Sequence, residues 1–408
     1  MRFQKINLSP KVKKSEKESV EKSDIIVIGN LHDTYFAIDI ADFLGQKTDF
    51  TDLIMLKTFA NTEFCPRFTL HDEDDLQSIG STLAGKTVII ASVHRGHISR
   101  NELAMRNFII ARAAKDNEAK EVILVEPDLF YSAQDRGPKK DHGYTPFDRD
   151  IADLHKFNGQ AFTARLYATL LKASGVDVVI TVHNHSVSTQ YEYKNIFGEN
   201  NFVNLFPDKI FNYYITNSGT VDPKNTVIVA PDKGAFAYVS QVANANGNNY
   251  PVVVMDKIRT GERKVHMTVA PDSPYPLSSV KGKDVVVLDD MVRTGGTIVT
   301  CCKLLQEYQP KQIIFMTTHF HSSEETKSNL ATSAITEIIT TNTLPSILNR
   351  DSQGRLRKKF AVLKINKWIA SYINERLGLN LKIKEPLYTE NMSDKNPRSD
   401  NYRGLSDN

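Results

Sequence analysis

The sequence has few of the features that mark unusual protein classes. Its 408 residues include three cysteines and one tryptophan, and 51 basic residues against 48 acidic ones leave a net charge of +3. A charge this small does not indicate a nucleic-acid partner or a membrane surface. No apolar run approaches the roughly 18 residues that are needed to cross a bilayer. We therefore expect a globular protein without nucleic-acid or membrane contacts.

The cysteines lack the spacing of a disulfide framework or of a metal site. Cys301 and Cys302 are neighbours at the start of a predicted helix, and Cys65 is distant from both in the sequence. This usage favours reduced thiols in a cytoplasmic protein. The charged N-terminal segment shows no signal-peptide pattern, which leads to the same expectation.

What the sequence does contain is a series of short apolar runs with helix-like stretches between them. The runs fall in two blocks, at residues 24–29, 86–93, 121–127 and 176–182, and then at residues 225–232, 250–257, 283–290 and 311–319. Strands separated by helices, such as the helical pattern over 98–117, predict a parallel sheet covered on both faces. We predict an α/β protein with two domains, residues 23–190 and 191–383. A disordered N-terminal tail (1–22) and a mobile C-terminal tail (384–408) would flank them.

One stretch, VVVLDDMVRTGGTIVTCC at 285–302, combines two carboxylates with a glycine turn that leads into a helix. Thr294–Thr297 would offer backbone N–H groups and hydroxyls to an anion at a helix N-terminus. Asp289 and Asp290 would repel that anion, so the two features agree only if one ligand presents both hydroxyls and a phosphate. A ribose phosphate does so. The alternative is an acidic strand end followed by an ordinary glycine turn.

The same stretch resembles the ribose-phosphate binding loop of type I phosphoribosyltransferases and of ribose-phosphate pyrophosphokinases. Further segments occur in the order of the second family, namely TFANTEF (58–64), YSAQDR (131–136), ITVHNH (180–185), VAPDKGA (229–235) and MDKIR (255–259). The chain is thus similar to a divergent ribose-phosphate pyrophosphokinase. The resemblance implies two tandem type I phosphoribosyltransferase-like domains, each a parallel sheet flanked by helices.

The resemblance also implies a reaction. The β,γ-diphosphoryl group of ATP would be transferred to the anomeric 1-hydroxyl of ribose 5-phosphate, giving phosphoribosyl pyrophosphate and AMP. The implied cofactor is Mg²⁺, and the implied assembly is a homo-oligomer, either a dimer or a hexamer. In-line displacement of this kind depends mainly on positioning and on neutralising charge.

Site residues follow from the matching positions. For ribose phosphate they are Asp232, Asp289, Asp290, Arg293, Thr294, Gly295, Gly296 and Thr297. For ATP they are Phe59, Asn61, Glu63, Gln134, Asp135, Arg136 and His185. Lys257 and Arg259 would stabilise charge on the transferring phosphates, and His185 and Asp232 would lie on the metal.

Each assignment has a simpler alternative. Phe59 could be a core residue at a strand end instead of a stacking partner for adenine, and the basic segment that contains Lys257 could be a solvated turn. His183 and His185 share one face if the strand that precedes them stays extended. An HxH pair is, however, more often structural than metal-binding.

The sequence departs from the family pattern at several positions. Arg293 stands where a third aspartate is usual, and Ala133 stands where an arginine is expected beside ATP. Asn61 and His183 each replace an aspartate, and residues 136–158 are longer than the usual connection and predict an extended surface loop near the nucleotide.

Three hypotheses remain open at this stage. The chain could be a working synthetase of phosphoribosyl pyrophosphate. It could transfer the same group to a 5′-substituted ribose phosphate such as ADP-ribose, with Arg293 serving the additional phosphate. It could also be a catalytically weak regulatory homologue, although the intact glycine turn and the Asp289–Asp290 pair argue against this.

Overall fold

The computed structural model describes residues 24–31, 34–70, 76–95, 98–259, 265–391 and 402–403, without the side chains of 76, 257–259, 265–266 and 402–403. The predicted N-terminal tail and most of the C-terminal one lie outside these residues. The chain divides into two compact units, Met1–Phe206 with Asn366–Ile383, and Pro207–Ile365 with Lys384–Asn408. The return of residues 366–383 to the first unit was not predicted from the sequence.

The first unit is built on a five-stranded sheet with the order β1-β4-β5-β6-β7. Its elements are β1 (Ile25–Gly29), α1 (Tyr35–Phe43), α2 (Phe50–Leu53), β2 (Ile54–Thr58), β3 (Phe64–Phe68), β4 (Thr87–Ala91), α3 (Arg100–Asp116), β5 (Glu121–Val125), α4 (Ile151–Lys156), α5 (Thr163–Ser174), β6 (Val178–Val182), α6 (Val187–Phe197) and β7 (Phe202–Leu205). All four pairings within this sheet are parallel. The four apolar runs predicted as strands in this half are confirmed as β1, β4, β5 and β6.

Local sequence explains why these elements form where they do. Helix α3 begins at Arg100 because the Ser99 hydroxyl accepts a hydrogen bond from the Glu102 N–H at 3.1 Å, which caps the helix. Its apolar positions Leu103, Ile110 and Ala114 are fully buried, as the helical spacing predicted. Strands β2 and β3 form a separate antiparallel hairpin, which the sequence pattern did not predict.

The second unit is built on a nine-stranded sheet with the order β10-β9-β8-β11-β12-β13-β14-β15-β16. Its elements are α7 (Asp208–Asn217), β8 (Thr226–Ala230), α8 (Phe236–Asn244), β9 (Val252–Arg259), β10 (Val265–Val269), β11 (Asp284–Val292), α9 (Gly296–Glu307), β12 (Gln312–Phe320), α10 (Glu324–Leu330), β13 (Glu337–Thr341), α11 (Arg350–Gln353), β14 (Phe360–Lys364), β15 (Thr389–Asn391) and β16 (Tyr402–Arg403). Helix α12 (Asn366–Leu377) belongs to the first unit.

The pairings within this second sheet are parallel in the centre and antiparallel at both edges. Strands β9, β8, β11, β12, β13 and β14 run parallel, whereas β10, β15 and β16 are antiparallel to their neighbours. The prediction of a parallel sheet is therefore correct for the centre and incomplete at the edges. The core of this unit packs one face of α9, through Ile298, Cys301, Cys302 and Leu305, against the apolar residues of the central strands.

Short 3₁₀ turns lie between some of these elements. They lie at Leu76–Ser78, Pro223–Asn225, Ala245–Gly247, Leu277–Val280, Pro345–Leu348 and Gly354–Lys359. All three cysteines are free thiols, as predicted. No helix in the part of the chain that the structure describes is long and apolar enough to span a membrane.

Buried polar residues follow three neighbouring strands of the first sheet. Asn30 comes directly after β1, Ser92 after β4 and Glu126 after β5, and all three are 0% exposed. The amide of Asn30 donates to the Ser92 hydroxyl at 3.1 Å, which in turn donates to the Glu126 carboxylate at 3.1 Å. The carboxyl edge of this sheet therefore carries a continuous, buried polar layer.

Glu126 is the centre of this layer. Its Oε1 accepts from the Phe130 N–H at 2.7 Å, and its Oε2 accepts from the Tyr167 hydroxyl at 2.8 Å and from the Asn107 amide at 3.1 Å. Burial nevertheless raises the pKa of Glu126 to about 7, because these hydrogen bonds offset only part of the loss of hydration. No motif in the sequence points to this residue.

Glu126 makes stability depend on pH in a defined direction. The carboxyl has an ordinary pKa of 4.5 when the chain is unfolded and a pKa of about 7 in the fold, so the folded state binds more protons between these values. Its stabilising contribution is complete below pH 4.5 and is lost as the pH rises through 7. We expect Glu126→Gln to remove this loss of about 3 kcal/mol in the free energy of unfolding.

Chemical denaturation between about pH 5 and pH 8 measures this slope. The control is Glu375→Gln, which changes an exposed carboxylate on α12 and should keep the wild-type slope. Parallel pH profiles for wild type and Glu126→Gln would contradict the prediction.

Candidate functional site

The central strands of the second sheet bring three carboxylates to its carboxyl edge. Strand β11 carries Asp289 and Asp290, and Asp232 follows the neighbouring strand β8 by two residues. The parallel register aligns Val287 of β11 with Val229 of β8, so the ends of the two strands reach the same edge. The sequence predicted a strand over 283–290 that ends at these two aspartates, whereas β11 runs from Asp284 to Val292 and contains both of them.

These carboxylates interact electrostatically. The pKa of Asp289 is raised well above its usual range, first by burial of the carboxyl and then by the negative charges of Asp290 and Asp232. The backbone N–H of Asp290 donates to Asp289 at 3.0 Å, and that of Met291 donates to Asp290 at 2.7 Å, which orients both side chains. An edge with concentrated negative charge suits a ligand that brings hydroxyl donors or a divalent cation.

The loop after β11 has the strand–turn–helix form that the sequence predicted. Gly295 adopts a left-handed conformation with φ of 78°, and helix α9 begins at Gly296. The first N–H groups of α9 have no acceptor within the helix, as at any helix N-terminus. Arg293 and Thr294 are exposed, and Thr297 is half-buried. This loop can therefore receive an anion a few residues beyond the carboxylates.

The predicted catalytic pair lies on the hairpin of β9 and β10. Lys257 aligns with Met267 and Arg259 with Val265 in the antiparallel register. Their side chains and residues 260–264 lie outside the described residues, so the roles of Lys257 and Arg259 stay predictions. Asp256, the residue before Lys257 on β9, forms an ion pair with Lys233 at 2.9 Å. The hydrogen bond within this pair is the main cause of the raised pKa of Lys233.

In the first unit, the predicted adenine segment is the turn of the β2–β3 hairpin. The N–H of Phe59 donates to the Glu63 carbonyl at 2.8 Å, and the Glu63 N–H donates to the Asn61 side chain at 3.2 Å. Phe59 is 43% exposed, with the Lys57 ammonium 4.7 Å from its ring centroid. The core alternative for Phe59 is therefore wrong, and its ring is accessible for stacking on a base.

The second predicted ATP segment is fixed by helix α6. Asp135 accepts from the Ser186 hydroxyl at 2.7 Å, and its carbonyl accepts from the Ser188 hydroxyl at 2.5 Å. The Arg136 guanidinium lies 3.7 Å from the Asp135 carboxylate and 3.4 Å from Asp153. Gln134 is exposed. A ligand phosphate would thus compete with these carboxylates for Arg136, whereas Gln134 is accessible to a nucleotide.

The two histidines after β6 do not share a face. His183 has a φ of 47°, which ends the extended conformation directly after Val182. His183 is 2% exposed and lies edge-on to Phe206 with ring centroids 5.5 Å apart, whereas His185 is exposed. The predicted shared face required the strand to stay extended through both histidines. The left-handed conformation of His183 ends the extended backbone before His185.

Residues 136–158 are not the simple extended surface loop that the composition predicted. The Arg149 side chain is only 2% exposed, and it donates to Asp153 at 2.7 Å and to the carbonyls of Lys139, His142 and Gly137 at 2.8–2.9 Å. The segment also contains helix α4. The segment folds around the buried guanidinium of Arg149. The four acceptors replace the water molecules that this guanidinium would bind if it were exposed.

The chemistry of the carboxylate edge fits a magnesium ion without showing a complete ligand set. Among the described residues, no group of three or more His, Cys, Asp or Glu side chains has the geometry to hold a metal. Mg²⁺ in phosphoryl-transfer sites usually binds one or two carboxylates together with substrate phosphates and several waters. Asp232, Asp289 and Asp290 can supply such oxygens.

Comparisons with known proteins cover both units. A family model described as the phosphoribosyl transferase domain matches residues 209–346, within the second unit. Ribose-phosphate pyrophosphokinase 2 of Saccharomyces cerevisiae is 27% identical over 278 residues, which are 67% of this chain and 76% of the yeast protein. Ribose-phosphate pyrophosphokinase of Helicobacter hepaticus is 28% identical over 320 residues, which are 78% of this chain and 87% of that protein.

A match over 320 residues extends beyond either unit, so the similarity is not confined to a phosphoribosyl transferase domain. The chain resembles ribose-phosphate pyrophosphokinases over the larger part of its length. A crystal structure of phosphoribosylpyrophosphate synthetase from Mycobacterium smegmatis has the same fold, with a TM-score of 0.64 and 24% identity over 86% of this chain and 98% of that one. The predicted resemblance to this family and the predicted fold class are confirmed.

The two adjacent glycines between β11 and the body of α9, Gly295 and Gly296, differ in their conformational requirements. Alanine at Gly295 would have to adopt a φ of 78°, and its Cβ would lie 3.1 Å from Leu330, whereas a Cβ at Gly296 meets no atom within 4 Å. We expect Gly295→Ala to lower the free energy of unfolding by about 1–2 kcal/mol because of this strain.

Thermal or chemical unfolding measures the difference. Gly296→Ala, at the first position of α9, is the matched control and should be neutral or slightly stabilising, since alanine restricts the unfolded chain. Equal destabilisation by both substitutions would show that the conformation of Gly295 is not the determining factor.

Proposed function

We propose that the protein is a ribose-phosphate pyrophosphokinase that forms phosphoribosyl pyrophosphate and AMP from ATP and ribose 5-phosphate. The observation that carries this proposal is the arrangement on one sheet edge of the Asp232, Asp289 and Asp290 carboxylates and the loop at the start of α9. Names of relatives that match the larger part of the chain support the same reaction.

The ligand would bind across this edge according to charge. Its 2′- and 3′-hydroxyls would donate to Asp289 and Asp290, and its 5′-phosphate would accept from the N–H groups and hydroxyls of Thr294–Thr297. The exposed guanidinium of Arg293 adds positive charge to the same loop. This arrangement leaves the 1-hydroxyl as the nucleophile, because the other polar groups of the sugar are occupied.

ATP would use residues of the first unit. The accessible ring of Phe59 would stack on adenine, with Asn61 and Glu63 at its polar edge, and Gln134, Asp135 and Arg136 would contact the nucleotide together with His185. Stacking on an exposed aromatic ring contributes substantially to base binding without strong sequence requirements.

In the reaction, the ribose 1-hydroxyl oxygen attacks the β-phosphorus of ATP. The bond between that phosphorus and the oxygen bridging to the α-phosphate breaks, AMP leaves with the bridging oxygen, and the hydroxyl proton is released. Lys257 and Arg259 would stabilise charge on the transferring group. A bound Mg²⁺ would neutralise phosphate charge, with Asp232 and His185 as the proposed protein residues near it.

We propose a cytoplasmic protein that works as a homo-oligomer, a dimer or a hexamer, without nucleic-acid or membrane partners. The small net charge and the free thiols agree with this setting.

The direct test is AMP release from ATP and Mg²⁺ with ribose 5-phosphate or ADP-ribose as separate acceptors, and with the products identified by mass. We expect AMP and phosphoribosyl pyrophosphate with ribose 5-phosphate. Turnover with ADP-ribose only would replace the acceptor in this proposal, and the absence of turnover with both would overturn it.

Two substitutions should separate the acceptor site from the nucleotide site. Asp290→Ala removes a charged hydrogen-bond acceptor and should raise the KM for ribose 5-phosphate about tenfold or more, with little change for ATP. Phe59→Ala removes the stacking ring and should raise the KM for ATP about tenfold, with little change for ribose 5-phosphate. Each variant is the control for the other in steady-state kinetics. Equal effects on both substrates would contradict the assignment.

A further inference from the structure

Helix α10 lies against the loop that joins β11 to α9, residues 293–295, and donates hydrogen bonds to it. The buried Thr326 hydroxyl donates to the Arg293 carbonyl, and the Asn329 amide donates to the Thr294 carbonyl at 2.8 Å. Ser323 caps the helix by accepting from the Thr326 N–H at 3.1 Å, and its hydroxyl lies 2.7 Å from that of Thr326. Two successive carbonyls of the loop are thus held by one helix face.

The same face also contacts the glycine of the loop. Leu330 is fully buried, and its side chain lies 3.1 Å from the position that a Cβ on Gly295 would take. Just before the loop, the N–H of His321 donates to the carbonyl of Val292 at 3.0 Å. The backbone from Val292 to Gly295 is therefore fixed by contacts outside its own strand and helix.

These contacts determine where the loop N–H groups point. Each peptide group is planar and trans, so its N–H points away from its carbonyl. The Arg293 carbonyl shares a peptide plane with the Thr294 N–H, and the Thr294 carbonyl shares one with the Gly295 N–H. When α10 holds both carbonyls towards itself, both N–H groups must point away from α10.

We propose that Ser323, Thr326, Asn329 and Leu330, which we call the α10 clamp, are positioning residues that preorganise the ribose-phosphate binding loop. The inference rests on the proposed function, because it assigns the aligned N–H groups to the phosphate of that ligand. Preorganised donors bind an anion more tightly than donors that must be ordered on binding.

Thr326→Val tests the clamp with a side chain of similar shape that cannot donate. We expect the Kd for ribose 5-phosphate, measured by titration calorimetry on the full chain, to rise about five- to tenfold, as for a typical lost hydrogen bond. Asn329→Ala should have an effect of the same direction. Thr326→Ser keeps the hydroxyl and should restore the wild-type Kd, which a role in packing would not predict.

Ser328→Ala on the same helix changes an exposed hydroxyl and is the matched control, with wild-type affinity expected. The KM for ATP should not change in any of these variants, and unfolding midpoints show whether each is folded. If wild type binds ribose 5-phosphate and releases AMP while Thr326→Val keeps the wild-type Kd, the clamp is overturned and the proposed function stands. If wild type neither binds ribose 5-phosphate nor forms AMP, the proposed function fails and the clamp fails with it.

Discussion

The parallel pairing of β11 between β8 and β12 is the constraint on which the second unit depends. Because all three strands run in one direction, their carboxyl ends meet at one edge. There the pKa of Asp289 is raised first by burial and then by the negative charges of Asp290 and Asp232. An antiparallel neighbour would have brought the opposite end of a strand to this edge. The charge concentration is thus a consequence of topology as much as of residue type.

The same edge combines two features with opposite preferences for charge. Carboxylates repel a phosphate, yet the helix N-terminus beside them attracts one. The conflict disappears for a ligand whose neutral hydroxyls and anionic group are separated by a few bonds, since each part then meets its complement. Such a pair of features would discriminate against inorganic phosphate and against unphosphorylated sugars, because each of these ligands would satisfy only one of the two features.

Local patterns predicted those features that depend on neighbours in sequence. The apolar runs, the helix α3, and the strand–turn–helix around Gly295 were all correct, because periodicity and glycine conformation are local properties. The left-handed φ of His183 and the folding of residues 136–158 around Arg149 were missed. The acceptors of Arg149 lie 4 to 12 residues away along the chain, and His183 packs against Phe206, 23 residues away. Neither kind of contact follows from the hydrophobic periodicity of a single sequence. The same holds for the donors on α10, since Thr326 is 33 residues from the carbonyl that it contacts.

The two sheets use their carboxyl edges in different ways. In the first unit, Asn30, Ser92 and Glu126 form a buried chain of hydrogen bonds, whereas Phe59 in the β2–β3 turn and Gln134 in the segment after β5 are exposed. In the second unit, the carboxylates themselves are only partly buried and lie at the site. The Glu126 carboxylate already accepts four hydrogen bonds from groups of the protein. It can therefore orient a loop, but it cannot bind a ligand without breaking those bonds. Position at a strand end therefore indicates where a site can form, and exposure decides which strand-end residues belong to it.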